Sequence, residues 1–117
     1  MPTVLVADDD PAILRFTALL LDSEGYTVLC AMNGLEALML YASYGNRVDA
    51  VLTDVDMPEM NGIELAARIR SNHPDARIVF MSGCLPRDAT LPGGCRMIAK
   101  PFNSKGLLSA LADELKR

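Results

Sequence analysis

Long hydrophobic runs, a dense basic stripe and a paired-cysteine pattern are all missing from this 117-residue chain. Its longest apolar run falls far short of the ~20 residues a helix needs to span a bilayer. No basic segment ahead of a long apolar stretch marks a secretory signal. A chain neither secreted nor embedded in a membrane, with a cytoplasmic location, is expected. The eleven Lys and Arg residues are scattered from Arg15 to Arg117 against fifteen acids, giving a net charge of -4, so no direct nucleic acid binding is expected. Cys30, Cys84 and Cys95 are odd in number and lack a C-x-x-C spacing. That pattern argues against a disulfide framework or zinc site and for reduced thiols serving as small packing residues. With no internal repeat and no linker, one domain over residues 1–117 is expected.

What is present is a globular composition, 50% apolar and 22% charged, enough for a packed core without disulfides or a structural metal. Strand and helix signals alternate. Residues 3–7 are β-branched and apolar. Asp10 can then cap a helix that accepts Pro11 in its first turn, buries Ile13, Leu14, Thr17, Leu20 and Leu21, and ends at Gly25. Residues 26–30 read as a second strand. Asn33 and Gly34 begin a helix with Leu35, Leu38, Met39 and Ala42 on its apolar face, closed by Gly45, and a third strand covers 49–53. Turn formers fill 56–62, where Asn61 can cap a helix through Ile63, Ala66, Ala67 and Ile69. Strands over 77–81 and 96–99 follow, and Asn103 or Ser104 caps a last helix through Leu107, Leu108, Leu111 and Leu115. Pro86, Pro92, Gly93 and Gly94 interrupt the place of a fourth helix, so only a short or irregular element over 87–91 is expected. Strict alternation implies an α/β fold, a parallel sheet with right-handed crossovers and helices on both faces. Periodicity does not give the strand order.

Four of the strand-like runs end in polar residues: Asp8 and Asp9, Asp54, Ser82, and Lys100. In neighbouring parallel strands these ends converge on the edge where open α/β sheets place ligands. Three carboxylates, a hydroxyl and an ammonium suit a divalent cation and a phosphoryl group. Mg2+ takes oxygen ligands and keeps several waters, so one or two carboxylates suffice. Asp54 is the candidate nucleophile, because a carboxylate accepts a phosphoryl group when a metal or ammonium offsets the accumulating charge. Like charges at Asp8, Asp9 and Asp54 push one another's pKa upward, so a cation or Lys100 should be drawn in, and the three should titrate as a coupled set. Taken singly, each residue has a plainer reading as a helix cap, a turn former or a solvated lysine. Their joint placement carries the weight.

The stretches VLVADDDPAILRF, VLTDVDMPEMNGIEL, IVFMSG and IAKPF together resemble the receiver domain of two-component response regulators, over essentially the whole chain. The resemblance implies a flavodoxin-like (βα)5 three-layer sandwich with strand order 2-1-3-4-5. It implies a phosphoryl group taken from a phosphohistidine on a histidine kinase or phosphotransfer protein, with Asp54 as acceptor. Asp9 and Asp54 would bind Mg2+ directly, Asp8 through water, and the Asp56 backbone carbonyl would be a further ligand. Ser82 and Lys100 would contact the phosphoryl oxygens with help from the Gly83 amide, and the bond from Lys100 to Pro101 would be cis. Such a chain is a phosphoacceptor switch that assists its own phosphorylation and dephosphorylation rather than an enzyme with a separate substrate, and it signals to an unknown downstream protein or domain.

Three departures stand out. Met97 occupies the switch position usually held in the family by Tyr or Phe, the fourth helix is expected to be short or irregular, and Asp56 and Cys84 fall where the family tunes dephosphorylation. The chain reads as a stand-alone regulator or as the receiver portion of a larger protein such as a hybrid kinase. Two other readings are an Asp-x-Asp phosphohydrolase, from Asp54-Val55-Asp56, and a receiver-like binding module that is never phosphorylated.

Overall fold

The computed structural model of the chain, which describes residues 2–83, 96–100 and 102–116, gathers five parallel strands into one sheet. These are β1 (Thr3–Ala7), β2 (Thr27–Ala31), β3 (Ala50–Asp54), β4 (Ile78–Ser82) and β5 (Arg96–Ala99), in the order β2-β1-β3-β4-β5. The three inner strands are apolar on both faces and almost wholly buried, as a parallel sheet covered by helices on both sides requires. β2 and β5 form the half-exposed edges.

Four helices are described: α1 (Pro11–Ser23), α2 (Gly34–Tyr44) with a 3-10 turn after it (Gly45–Arg47), α3 (Gly62–Asn72) and α4 (Ser104–Leu115). The chain steps outward from β1 to β2, then back across β1 to β3 and on through β4. Right-handed crossovers therefore put α1 on one face and α2 and α3 on the other. The packing follows that division. Leu14, Leu21, Leu107 and Leu111 of α1 and α4 meet Val4, Val6, Leu52, Val79 and Met81, while Ala37, Tyr41, Leu65 and Ile69 of α2 and α3 meet the alternate residues Leu5, Val51, Ile78 and Phe80. The result is the three-layer arrangement that the resemblance implies.

Each of the four described α-helices starts at a side-chain cap. Asp10 accepts from the Ala12 N–H at 2.9 Å, Asn33 from Glu36 at 2.8 Å, Asn61 from Glu64 at 2.8 Å and Asn103 from Gly106 at 2.6 Å. Each such bond satisfies an otherwise orphaned donor and is worth about 1 kcal/mol. Asn103 rather than Ser104 is the last cap.

Three expectations need correction. β2, β3 and β4 each lie one residue later than the sequence pattern suggests, because the parallel ladder pairs Ala7 with Ala31, Asp54 with Met81 and Ser82 with Ala99. Asp54 and Ser82 thus belong to their strands, while Asp8, Asp9 and Lys100 follow theirs. α2 turns a different face inward from the one expected: Gly34, Ala37 and Tyr41 are buried, while Leu35 is 46% and Met39 71% exposed. Small residues allow this approach, since a Cβ on Gly34 would stand 2.6 Å from the Met60 carbonyl oxygen. Cys30 is not a packing residue, since it is a free thiol on the exposed edge strand β2. Cys84, Cys95, the element over 87–91 and the bond to Pro101 lie outside the described residues. Among the described residues no helix is long and apolar enough to cross a membrane.

Candidate functional site

Because β1 feeds a crossover to one side and β3 a crossover to the other, the loops after these two strands part and leave a crevice at the sheet's C-terminal edge. The first acid enters it directly from β1. Asp8 donates its N–H to the Ala31 carbonyl at 3.1 Å, is fully buried, and accepts the Asp10 N–H on Oδ1 at 2.9 Å. Asp10 is committed to capping α1. Asp9, between them, is exposed. The acidic triplet is thus divided into a buried anchor, an outward carboxylate and a helix cap.

Asp54 closes β3 and is buried, with Oδ1 accepting the Asp56 N–H at 3.3 Å. Lys100 follows β5, and its N–H donates to the Ser82 carbonyl at 2.9 Å, tying the ends of β4 and β5 together. The Lys100 ammonium reaches across the crevice to Asp8 Oδ2 at 2.8 Å and Asp54 Oδ2 at 3.1 Å. Carboxylate oxygens of Asp8, Asp9 and Asp54 all lie within 4.8 Å of one another. Four of the residues singled out in the sequence therefore share one pocket of charge. Ser82 lies buried at its rim, and Gly83 is exposed beside the Lys100 stem. The Asp56 side chain points to solvent. Met97, opposite Phe80 in the ladder, packs half-buried against the α2 and α3 core.

The charges strain against their setting. Burial pushes the Asp54 carboxyl above its ordinary pKa and the Asp8 charge adds to that, while Lys100 and the Asp56 N–H pull the other way without cancelling it. Burial alone would lower Lys100, but its hydrogen bonds and attraction to Asp8 and Asp54 prevail and raise it. The ammonium stays charged at neutral pH. Three carboxylates facing one ammonium leave an excess of negative charge, and an all-oxygen donor set of this kind is suited to a hard divalent cation. Among the described residues it is the one such cluster.

One residue of the site escaped the sequence reading, which took Gly62 only as one of the turn formers over 56–62. Its N–H donates to the Val55 carbonyl at 2.9 Å, and a Cβ there would stand 2.2 Å from the Asp54 carbonyl oxygen. The backbone that carries Asp54 thus packs directly on the start of α3. The Asn61-Gly62 pair gave the turn but no sign of what the glycine touches.

Known proteins resemble the chain over most of its length. A family model described as the response regulator receiver domain matches residues 4–112. The chain is 38% identical over 98% of its length to the sensor kinase CckA of Brucella abortus, of which it spans 13%. It is 34% identical over 95% of its length to the response regulator receiver protein CpdR of the same organism, of which it spans 94%. Among solved structures, the response regulator TrrA of Thermotoga maritima in complex with Mg(2+)-BeF superposes with a TM-score of 0.87 at 32% identity, over 97% of this chain and 99% of that one. The likeness runs over nearly the whole chain rather than through one motif, and the chain belongs to the response regulator receiver domain family.

Proposed function

We propose that this receiver is a phosphorylatable switch in which Asp54 accepts a phosphoryl group from a phosphohistidine on a histidine kinase or phosphotransfer protein, with Mg2+ present. The observation that carries this reading is the Lys100 ammonium between Asp8 and Asp54, at 2.8 and 3.1 Å, beside a cluster of three carboxylates. Asp9 and Asp54 would hold the metal directly, Asp8 through water, and the Asp56 carbonyl would add a backbone oxygen. The metal supplies charge neutralisation for the transferred group.

The protein's own groups do the rest. Asp54 Oδ attacks the phosphorus and the histidine nitrogen leaves. The Ser82 hydroxyl, the Gly83 N–H and the Lys100 ammonium take up charge on the phosphoryl oxygens. Close to two negative charges arrive with the group, and its contacts with these residues bias the surface offered to a downstream partner. With Met97 in the core in place of an aromatic ring, that bias relies on a flexible thioether. A cytoplasmic location suits this chemistry. The TrrA complex with Mg(2+)-BeF supports the metal and the phosphoryl position, and the sensor kinase CckA supports the donor class.

Intact-mass measurement after incubation with acetyl phosphate and Mg2+ tests the reading. One added phosphoryl group is expected, lost with a chelator and in Asp54→Asn. A label that persists in Asp54→Asn, or none from acetyl phosphate or any purified kinase, overturns it. Rapid multiple turnover of a generic phosphomonoester would favour the Asp-x-Asp hydrolase reading instead.

A further inference from the structure

We propose that the first turn of α2 is the outer wall of the loop from Asp56 to Asn61, and that Gly34 is a positioning residue which sets where that loop presents its backbone to a divalent cation. The inference rests on the reading above, in which the Asp56 carbonyl joins Asp9 and Asp54 around Mg2+.

The loop is held in a shape it would not take alone. Its Met60 N–H donates to the Pro58 carbonyl at 2.7 Å across Glu59, whose φ of 69° is the one positive value outside glycine among the described residues. A three-residue turn of that hand is rare and strained, and a side chain in this region persists only where the surroundings over-determine it. Three restraints do so here. The Gly62 N–H closes the base of the loop on the Val55 carbonyl at 2.9 Å. Met57 and Met60 are buried in the core that also takes Ala37 and Tyr41 of α2. Gly34 is the third, since a Cβ there would stand 2.6 Å from the Met60 carbonyl oxygen, 2.8 Å from the Met60 Cβ and 3.0 Å from its Cγ.

The wall is itself fixed. Ala31, the last residue of β2, accepts the Asp8 N–H on its carbonyl at 3.1 Å, and Asn33 caps α2 through the Glu36 N–H at 2.8 Å. Gly34 is thus tied on one side to the acidic end of β1. On the other it presses on a loop whose Asp56 N–H donates to Asp54 Oδ1 at 3.3 Å. A close-packed interior passes displacement on rather than absorbing it, and no rotamer change moves the Met60 carbonyl aside. A methyl group at Gly34 therefore reaches the cation site, although Gly34 supplies no ligand to it.

Calorimetric titration of the full chain with Mg2+ provides the test, comparing the parent with Gly34→Ala, Met60→Ala and the double variant at a temperature where each is folded. The dissociation constant of Gly34→Ala should rise about tenfold, as when a group supporting a metal ligand is displaced. Met60→Ala, which removes the anchor from the other side, should weaken binding too. The double variant should fall short of the product of the two losses, because both act through one contact. Leu21→Val, in the opposite core, should lower the melting temperature yet leave Mg2+ affinity at the parent's value, and a merely structural role for Gly34 would give that same pattern. In the metal-free proteins the Asp56 amide resonance should shift in Gly34→Ala and stay in place in Leu21→Val. An affinity within about twofold of the parent in Gly34→Ala, an equal loss in Leu21→Val, losses that simply multiply, or an unmoved Asp56 resonance overturns the proposal. Should Gly34→Ala fail to fold, Met60→Ala decides by affinity and resonance alike. Weaker binding in Gly34→Ala with Asp54 never labelled in the parent sinks the phosphoacceptor reading alone, whereas a labelled parent with unchanged affinity in Gly34→Ala sinks this inference alone. A parent that binds no Mg2+ overturns both.

Discussion

Substituting alanine for Gly62 tests how firmly the backbone beneath Asp54 is held. The added Cβ would meet the Asp54 carbonyl oxygen at 2.2 Å, the Asp54 carbonyl carbon at 3.0 Å and the Val55 Cα at 3.1 Å. All three are main-chain atoms, so no rotamer change relieves the clash, and β3 or α3 must shift by about an ångström. Overpacking of this kind costs about 1–3 kcal/mol, and disturbing the Gly62 to Val55 hydrogen bond of 2.9 Å costs about 1 kcal/mol more. Alanine's helix preference returns at most about 1 kcal/mol. The net loss is about 1–3 kcal/mol, which for a domain of this size lowers the melting temperature by roughly 4–15 °C. Circular dichroism melts and urea midpoints measure it. Gly83→Ala is the comparison, since its Cβ would lie 3.7 Å from the Lys100 Cβ, an ordinary contact, and should stay within about 0.5 kcal/mol of the parent. In Gly62→Ala, acetyl phosphate labelling at a temperature where the protein is folded should also slow, because the displaced strand end carries Asp54. A Gly62→Ala protein that melts within about 2 °C of the parent and labels at the same rate refutes the reasoning.

Further predictions concern the charges and a cap. The folded pKa of Asp54 is raised, chiefly by burial, so the folded state binds more protons than the unfolded one across that range, and the group's contribution to stability falls as pH rises from about 4 through the raised value. Asp54→Asn should therefore be more stable than the parent at pH 7, with the gap closing as pH drops toward about 4 in melting experiments. The raised pKa of Lys100 has the opposite reach: its ion pairs stabilise the fold below about pH 10 and are lost as pH climbs through the folded value, which an alkaline melting series should show. Mg2+ at a hundredfold over its dissociation constant should add about 2.7 kcal/mol to the unfolding free energy, and a chelator should remove it. Glu114 is 4% exposed and meets Arg96 at 3.1 Å, but the Arg96 side chain is 39% exposed, so Glu114→Gln should cost about 1–2 kcal/mol by urea unfolding rather than the 3–5 of a fully buried pair. Asn61→Ala should cost about 1 kcal/mol, read the same way.

Much of this was legible in the sequence because local rules and the fold agree. The capping residues Asp10, Asn33 and Asn61 each precede a helix that starts at the next residue, and alternation in the strand runs sorts Val4 and Val6 from Leu5 into opposite cores. The convergence of Asp8, Asp9, Asp54 and Lys100 was also readable, since parallel strands deliver their ends to one edge. Registers were not. Asp54 and Ser82 resemble turn residues, yet each pairs across the ladder, a matter decided by the neighbouring strand. The inward face of α2 was misjudged for a related reason: hydrophobicity surrounds that helix, and what selects Gly34 and Ala37 over Leu35 and Met39 is the close approach of the loop at Met60. Cys30 is exposed because β2 is an edge, and strand order lies beyond periodicity.

The division of labour within the acidic triplet has a genetic consequence. Asp9 makes no hydrogen bond or ion pair among the described residues, Asp10 holds the first turn of α1, and Asp8 answers to Lys100 from the far end of the chain. Three adjacent codons thus fail independently. On the proposed reading, losing Asp9 should leave a well-folded protein that no longer takes a phosphoryl group, losing Asp10 should fray a helix yet leave labelling intact, and losing Asp8 leaves a lysine 92 positions away without its tighter anchor. A suppressor of that last lesion is to be sought at Lys100.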